Sequence, residues 1–151
     1  MVIYRAGRGA RKGPNDMKNI LILIVALSMA ASTFADMDIY AGSSYQGRLE
    51  DDGDVYLGSS YAGRIEPDGD VYAGSSYAGR VEEDGDIYKG SSYYARIEDD
   101  GDIYVGSSYV GKVEEDGDIY KGSSYWGEAR GMPLRGWDAV AAYLVFFAGA
   151  F

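Results

Sequence analysis

A sixteen-residue unit, repeated six times without a gap, constrains the fold of this chain more than any other feature. The unit approximates Asp-(Ile/Val)-Tyr-x-Gly-Ser-Ser-Tyr-x-Gly-Arg-(Ile/Val)-Glu-x-Asp-Gly, and its copies begin at Asp38, Asp54, Asp70, Asp86, Asp102 and Asp118. Such a period means that one supersecondary unit is copied and stacked, because a single copy cannot bury its own apolar face. The repeat therefore decides the fold before local propensities do.

The pattern within a unit predicts two short β-strands. In the first strand of the second copy, strict alternation places Val55 and Leu57 on one face and Tyr56 on the other. In the second strand it assigns one face to Tyr61, Gly63 and Ile65. A helix is disfavoured, because Gly recurs too often and because Tyr, Val and Ile favour a pleated surface.

Two turns complete each unit. Asp-Gly lies between consecutive units, as at Asp52-Gly53 and Asp68-Gly69, and it predicts a type I′ hairpin turn, whose two central residues both have positive φ. Gly-Ser-Ser predicts the second turn, since Gly relaxes the backbone and Ser hydroxyls bond to local backbone groups. Each unit is thus expected to be a hairpin.

Six hairpins give about twelve strands, and we expect an all-β fold in which residues 36–131 form a closed antiparallel barrel. A four-stranded propeller blade takes about 40 residues, and a parallel solenoid needs no reverse turn in every copy. Closure also removes the exposed edges that invite aggregation. The side chains expected to line the inside are Ile39, Val55, Val71, Ile87, Ile103, Ile119, Leu49, Ile65, Val81, Ile97 and Val113.

Charged side chains are expected on the outer face of the second strands. A basic residue recurs there two positions before a glutamate, which predicts ladders of ion pairs. The bases are Arg48, Arg64, Arg80, Arg96 and Lys112, and the acids are Glu50, Glu66, Glu82, Glu98 and Glu114. Exposed pairs of this kind stabilise a fold little individually, so their expected role is to keep the outer face soluble.

The C-terminal segment, residues 132–151, ends in thirteen apolar residues after Asp138. A twelve-stranded barrel is too wide to be filled by its own side chains, and a helix that is apolar all round is buried on every side. We therefore expect a helix over residues 138–151, with Asp138 as its N-cap, that plugs the barrel. A tail inserted in a membrane is the second alternative, and a terminal outer-membrane strand is the third, because strands this short do not cross a bilayer.

Residues 1–35 predict an N-terminal extension and signal peptide whose biological start is Met17. The apolar stretch Ile20–Phe34 follows a short basic start, and small residues precede a predicted cleavage site at Ala35, with Ala30 as a second candidate. A retained membrane anchor is the alternative, but it normally needs about 20 apolar residues. We expect the mature chain to be secreted or held in the periplasm or cell envelope.

Composition excludes most catalytic chemistries. The chain has no Cys and no His, so it lacks thiol nucleophiles, disulfides, imidazole bases and the usual zinc, haem and iron–sulfur ligands. Nine bases and 23 acids from residue 36 onward give that part a formal charge of −14, compared with −10 for the whole chain. This excess argues against nucleic acid as a partner. We expect no enzyme activity, no catalytic residues and no cofactor.

The tandem unit resembles that of the β-flower proteins, bacterial repeat proteins in which hairpin petals surround a shallow hydrophobic barrel. The resemblance covers residues 38 to about 131. Members have four or five petals and often end in an apolar segment, whereas this chain has six copies. The family has no established function, so the resemblance assigns no site residues. Twelve strands with an apolar helix are also similar in architecture to Tubby-like and scramblase-like barrels, which implies contact with lipid.

Two groups of side chains are candidate sites. The acidic turns are weak candidates for calcium, which needs clustered oxygen ligands, although the spacing departs from the EF-hand pattern; the residues are Asp52, Asp54, Asp68, Asp70, Asp84 and Asp86. Tyr and Ser beside the Gly-Ser-Ser turns suit sugar binding, since a ring packs on a sugar face while polar tips orient it. That candidate rim consists of Tyr45, Tyr61, Tyr77, Tyr93, Tyr109, Tyr125 and Trp126.

Together these patterns predict a non-catalytic repeat barrel, secreted or in the cell envelope, that acts as a structural or binding module. One alternative is a membrane- or lipid-associated barrel, and another is a carbohydrate- or cell-wall-binding module that uses the Tyr/Ser rim. The sequence names no ligand or partner protein and sets no oligomeric state. Membrane or cell-wall contact is the interaction to look for.

Overall fold

A computed structural model describes residues 36–133 and 136–151. The predicted signal peptide, with its start at Met17 and its cleavage site at Ala35, lies outside the described residues. The described chain forms twelve strands: β1 (Met37–Ala41), β2 (Ser44–Leu49), β3 (Asp54–Leu57), β4 (Ser60–Ile65), β5 (Asp70–Ala73), β6 (Ser76–Val81), β7 (Asp86–Lys89), β8 (Ser92–Ile97), β9 (Asp102–Val105), β10 (Ser108–Val113), β11 (Asp118–Lys121) and β12 (Ser124–Arg130). A short helix, α1 (Trp137–Ala142), follows and continues as a π-helical turn, Tyr143–Phe147.

The twelve strands close into one antiparallel barrel, as predicted. Each strand pairs with its neighbours in the chain, and β1 pairs with β12. The closing seam keeps the register of the internal seams: Ile39 lies opposite Ala129, just as Val55 lies opposite Leu49. The hydrogen bond from the Gly42 N–H to the Trp126 carbonyl, 2.8 Å, also has an equivalent in each of the five other repeats. Six identical steps therefore return the chain to its own first strand.

The predicted rings of Ile, Leu and Val form the inner layer of the wall. Their side chains are 0 to 8% exposed, and the inner position of the sixth copy is filled by Ala129. Burying one such side chain contributes about 1.5–3 kcal/mol. Two buried apolar residues in each repeat therefore stabilise the wall.

A β-bulge in every hairpin overturns one predicted orientation. Val55 lies opposite Gly63, but Tyr56 lies opposite Tyr61, so Ala62 is an extra residue without a partner. An extra residue reverses the alternation beyond it. Tyr61 is therefore on the outer face beside Tyr56, and the prediction that it shares the face of Gly63 was wrong.

The two-residue hairpin turn lies at Gly-Ser and not at Asp-Gly, where it was predicted. The two-residue turn is Gly58-Ser59, between the paired residues Leu57 and Ser60, and φ of Gly58 is +57°. Positive φ at this position is what both primed hairpin turns require. The Gly-Ser turns define one end of the barrel, the petal end.

The Asp-Gly connection is a longer loop than the predicted type I′ turn. The Gly69 N–H donates to the Glu66 carbonyl at 2.9 Å, which makes Pro67 and Asp68 the central residues. Gly69 follows them with φ of +89°, as in a three-residue hairpin with a glycine bulge. The loop contains one residue more than the predicted turn, the residue before Asp, and in this copy it is a proline, which suits the first central position. These loops define the loop end of the barrel.

The C-terminal helix lies in the core of the barrel, as predicted for a plug. Ala139–Val145 are at most 7% exposed, and α1 contacts β6, β8 and β10 while the π-helical turn contacts β5. Two details of the prediction were wrong. Gly136 is the N-cap, so Asp138 lies within the first turn and makes no capping bond. The helix ends at Phe147 rather than at residue 151.

Candidate functional site

The charged side chains divide between the two ends of the barrel. Each repeat projects a petal, which runs from its first Tyr to the bulge residue; the six petals are residues 40–46, 56–62, 72–78, 88–94, 104–110 and 120–126. No petal contains a carboxylate, and their only charged residues are Lys89 and Lys121. All 23 acids from residue 36 onward lie in the other half of each repeat or in the segments flanking the barrel. The petal end and the loop end are therefore chemically distinct surfaces.

The calcium candidates lie in three neighbouring loops, where the structure gives each of them a partner. Asp52, Asp68 and Asp84 accept hydrogen bonds from the backbone N–H two residues later, at 3.0 to 3.3 Å. The second carboxylate of each loop faces a basic residue on the next strand, at 3.0 to 3.9 Å. Turn closure and ion pairing thus account for the repeated Asp-Gly-Asp.

The predicted ion-pair ladders form with different partners. Only Arg48 pairs with the glutamate two residues later, at 2.6 Å. The other bases pair across the hairpin instead, as Arg64 does with Asp54 at 3.0 Å and Lys112 with Asp102 at 3.1 Å. Directly opposite residues bring their Cβ atoms within about 5.5 Å, closer than alternate residues of one extended strand. The Asp102 carboxylate raises the pKa of Lys112.

The last loop differs from the others, and sequence reasoning missed it. Carboxylate oxygens of Glu114, Asp116 and Asp118 lie within 4.8 Å of one another. The sixth copy has Glu128 where the earlier copies have Arg or Lys, so Asp118 faces a second acid. Burial, followed by Asp116 and Glu128, raises the pKa of Asp118. The replacement of the base by Glu128 is the sequence signal that could have predicted this trio.

The loop end also carries an open groove of about 630 Å³, lined by Glu83, Asp84, Arg96, Glu98, Asp99 and Asp100. The start of α1 belongs to the same end. Burial, followed by repulsion from Asp99, raises the pKa of Asp138 in its first turn. The helix thus enters the barrel from the acidic side.

Six of the seven predicted rim residues form a ring on the outer face of the petals. Each stands edge-on to the first Tyr of its own hairpin, with ring centroids 5.5 to 5.8 Å apart. The six rim tyrosines remain 41 to 50% exposed. Such pairs contribute about 0.5–1.5 kcal/mol beyond their area, so each rim tyrosine is held in a fixed orientation. Trp126, the seventh, occupies a bulge position and packs against the core.

The inner faces of the petals and the chain end form a second surface, which we call the cup. Bulge residues such as Tyr94 and Trp126 contribute to it, and Phe146, Phe147 and Phe151 are partly buried beneath them. The two petal lysines lie on aromatic rings here. Lys89 Nζ is 3.6 Å from the ring centroid of Tyr94, and Lys121 Nζ is 5.8 Å from that of Phe151.

Glycine in the second strand makes room first for the neighbouring strand and then for the plug. A Cβ at Gly63 would lie 2.0 Å from the Tyr72 carbonyl and 2.8 Å from the ring of Phe147. A Cβ at Gly47 would lie 2.6 Å from the Tyr143 hydroxyl. That hydroxyl is buried and has no hydrogen-bond partner among the residues described, and burial raises the pKa of Tyr143 to about 12.

No family model, no curated protein and no solved structure matches the chain. Within the part of the chain that the structure describes, no helix has the length and apolar character needed to cross a membrane.

Proposed function

We propose that this protein is a non-catalytic binding module, secreted or in the cell envelope, whose contact surface is the petal end of a six-petalled barrel of the β-flower type. The observation that carries the proposal is the separation of charge: acids crowd the loop end, and the petals hold none. Anionic surfaces repel a dense field of carboxylates. A partner in the envelope therefore meets the petals.

The sixfold repetition supports the same conclusion. Six petals present the same Tyr and Ser side chains around one axis. Several weak and identical contacts made at once bind far more tightly than one. Extended partners with repeated chemistry, such as a lipid surface or a cell-wall polymer, exploit this arrangement better than a single small molecule does.

Charge placed on the petals tests the proposal. In the chain from Asp36 to Phe151, which contains the whole barrel and plug, the exposed tip residues Ser59, Ser91 and Ser123 are changed together to Asp. Retention is measured on anionic lipid vesicles and on insoluble peptidoglycan. We expect binding to fall at least tenfold, because the added carboxylates must approach an anionic surface and lose water.

The matched control changes the same three serines to Asn, which alters their shape similarly without adding charge. This variant is expected to bind within threefold of the unmodified chain. Full binding by the Asp variant would show that the petal end is not the contact surface. Retention on neither material would refute the proposal itself.

A carbohydrate polymer is a second candidate partner, favoured by the exposed rim tyrosines. A ring held edge-on by its neighbour keeps one face open for a sugar. The variant Tyr61→Ser, Tyr77→Ser, Tyr93→Ser should lose retention on peptidoglycan, whereas Phe at the same positions should keep most of it. Equal retention of the two variants would exclude a stacking role for the rim.

A further inference from the structure

The cup combines apolar surface with the only two charged side chains of the petals, Lys89 and Lys121. Its floor is made by aromatic residues of the chain end, and Leu57, 39% exposed, stands on its wall. The orientation of the wall follows from strand register. Leu57 lies opposite Gly47, Lys89 opposite Gly79 and Lys121 opposite Gly111. The side chains nearest to these three glycines are aromatic residues of the C-terminal segment, Tyr143, Phe146 and Phe151.

Lys89 and Lys121 differ from the other bases of the barrel. Across residues 36–133 and 136–151 neither lysine forms an ion pair, whereas the six bases placed on second strands each do. Both instead carry their ammonium groups over aromatic rings. A long side chain that covers apolar surface while its charge reaches water is typical of residues at a membrane interface.

The charges of the whole barrel orient it at an anionic surface. The loop end, with its acids, is repelled, and the two lysines are attracted. The hydrogen-bonding side chains of the cup are those of Gln46, Tyr94, Trp126 and the two lysines, whereas the rest of its wall is Ala, Val and Leu and its floor is Phe, so most of the surface offers a polysaccharide no polar partner. Apolar surface ringed by lysine and aromatic side chains matches lipid headgroups above acyl chains.

We infer that the cup docks on the surface of an anionic phospholipid bilayer, with Lys89 and Lys121 at the phosphate level and the aromatic floor facing the acyl chains. This inference rests on the proposed function and names the partner class for the same end of the barrel. Trp126 lies at the cup, whereas Trp137 is buried where α1 begins at the loop end. The two tryptophans of the chain therefore report on opposite ends.

The experiment uses the chain from Asp36 to Phe151 and vesicles of equal parts phosphatidylglycerol and phosphatidylcholine, some with brominated acyl chains. Trp137→Phe leaves Trp126 as the single reporter, and Trp126→Phe leaves Trp137. We expect bromine to quench Trp126 and to leave Trp137 unchanged. Binding should weaken as salt rises, since exposed charges are screened.

Affinity for the vesicles is then compared between two neutralised variants. Lys89→Gln with Lys121→Gln should bind about 25-fold more weakly, at about fivefold per lysine near an anionic surface. Lys112→Gln is the matched control, because Lys112 is paired with Asp102 in the half of the barrel nearer the loops, and it should bind within threefold of the unmodified chain. Melting curves of all variants verify that the barrel is folded.

The other outcomes overturn the inference in distinguishable ways. Quenching of Trp137 instead of Trp126, or equal affinity of the two variants, would place the lipid contact elsewhere. A lipid-free dimer that buries Trp126, seen by sedimentation equilibrium, would make a second copy the occupant of the cup. Retention on peptidoglycan without vesicle binding would refute lipid docking while leaving the proposed function intact, and binding to neither would refute both.

Discussion

The barrel wall and the plug inside it reach the same depth of burial from opposite kinds of sequence. Ile103 in the wall and Leu144 in the plug are both fully buried. The wall is built from one motif copied six times, with its Ile, Leu and Val residues on the inner face only. The plug is a unique segment that is apolar on every side. A repeated strand pair can enclose a wide space, but only a segment outside the repeat can fill it.

Deleting the plug, Gly136–Phe151, should destabilise the barrel more than any single substitution does. The inner rings of Ile and Val would then face an open interior that the wall cannot fill by itself. We expect the loss of cooperative thermal unfolding, followed by circular dichroism, and binding of a hydrophobic dye. Removing only residues 149–151, beyond the helix, should leave a cooperative transition. A soluble deletion variant with an unchanged melting temperature would show that the wall is stable alone.

Truncating one plug side chain should produce the next largest effect. Leu144→Ala removes a fully buried side chain, so we expect the free energy of unfolding in urea to fall by about 2–5 kcal/mol. The control, Leu57→Ala, changes a partly exposed residue of the wall and should stay within about 0.5 kcal/mol. Similar losses for the two variants would mean that the plug packs no better than the petals.

Adding a methyl group at a tightly packed glycine of the wall should lower the free energy of unfolding by less than the loss of Leu144 does. Gly63→Ala adds a Cβ against the Tyr72 carbonyl and the ring of Phe147, and overpacking of this kind costs about 1–3 kcal/mol. The fourth copy already has Ala95 at the equivalent position, so Ala95→Gly serves as the reverse change, with a loss of about 1 kcal/mol or less. A stabilised Gly63→Ala variant would contradict the close approach of Gly63 to the neighbouring strand and to the plug.

The buried hydroxyl of Tyr143 should make the plug sensitive to alkali. Its pKa is raised to about 12 in the folded state, compared with about 10 in an unfolded chain. The folded state therefore holds its proton longer, and stability that is complete below pH 10 is lost as the pH rises toward 12. Tyr143→Phe should flatten this decline in urea titrations.

At neutral pH the same variant should change the free energy of unfolding by about 1 kcal/mol or less, because the hydroxyl has no partner to lose. The wall tyrosines provide the comparison. Partial burial, followed by nearby carboxylates, also raises the pKa of Tyr72 and Tyr120, so some alkaline sensitivity should remain. An unchanged alkaline profile would show that titration of Tyr143 does not limit the stability of the plug.

The smallest effect is expected from the outer ion pairs of the wall. Arg80→Gln breaks a pair with Asp70 in which both side chains are partly exposed, and such pairs contribute about 0.2–1 kcal/mol. The loss should shrink further in high salt. A double-mutant cycle with Asp70→Asn measures the pair itself. A coupling well above 1 kcal/mol would give the wall an electrostatic source of stability.

The features that sequence reasoning predicted depend on a short period or on an unbroken apolar stretch. Hairpins, closure, the two apolar rings and the buried C-terminal helix all follow from alternation and from the need to cover apolar surface. The predictions were wrong where one extra residue changes the pairing of two strands or the length of a loop. Ala62 reverses the face of Tyr61, and the residue before each Asp-Gly, Pro67 in the second copy, extends the loop to three residues. Neither change alters the periodicity from which the strands were predicted.

The candidate site was predictable only in part for a related reason. The rim tyrosines could be named from their motif, but the bulge decides that they lie outside while Trp126 lies inside. Lys89 and Lys121 occupy a variable position of the repeat, where single residues carry no pattern. Only the register that places them opposite glycines shows that they share the cup with the chain end.

The sequence by itself determined the unit, its number of copies and the apolar character of the segment that follows, since these depend on order along the chain. The tertiary structure decided which residues meet across seams, which face each tyrosine occupies and which end the helix enters. These features depend on register and on closure, where residues 90 positions apart, Ile39 and Ala129, come to lie side by side. Their proximity requires all six repeats to close the barrel, so no single motif predicts it.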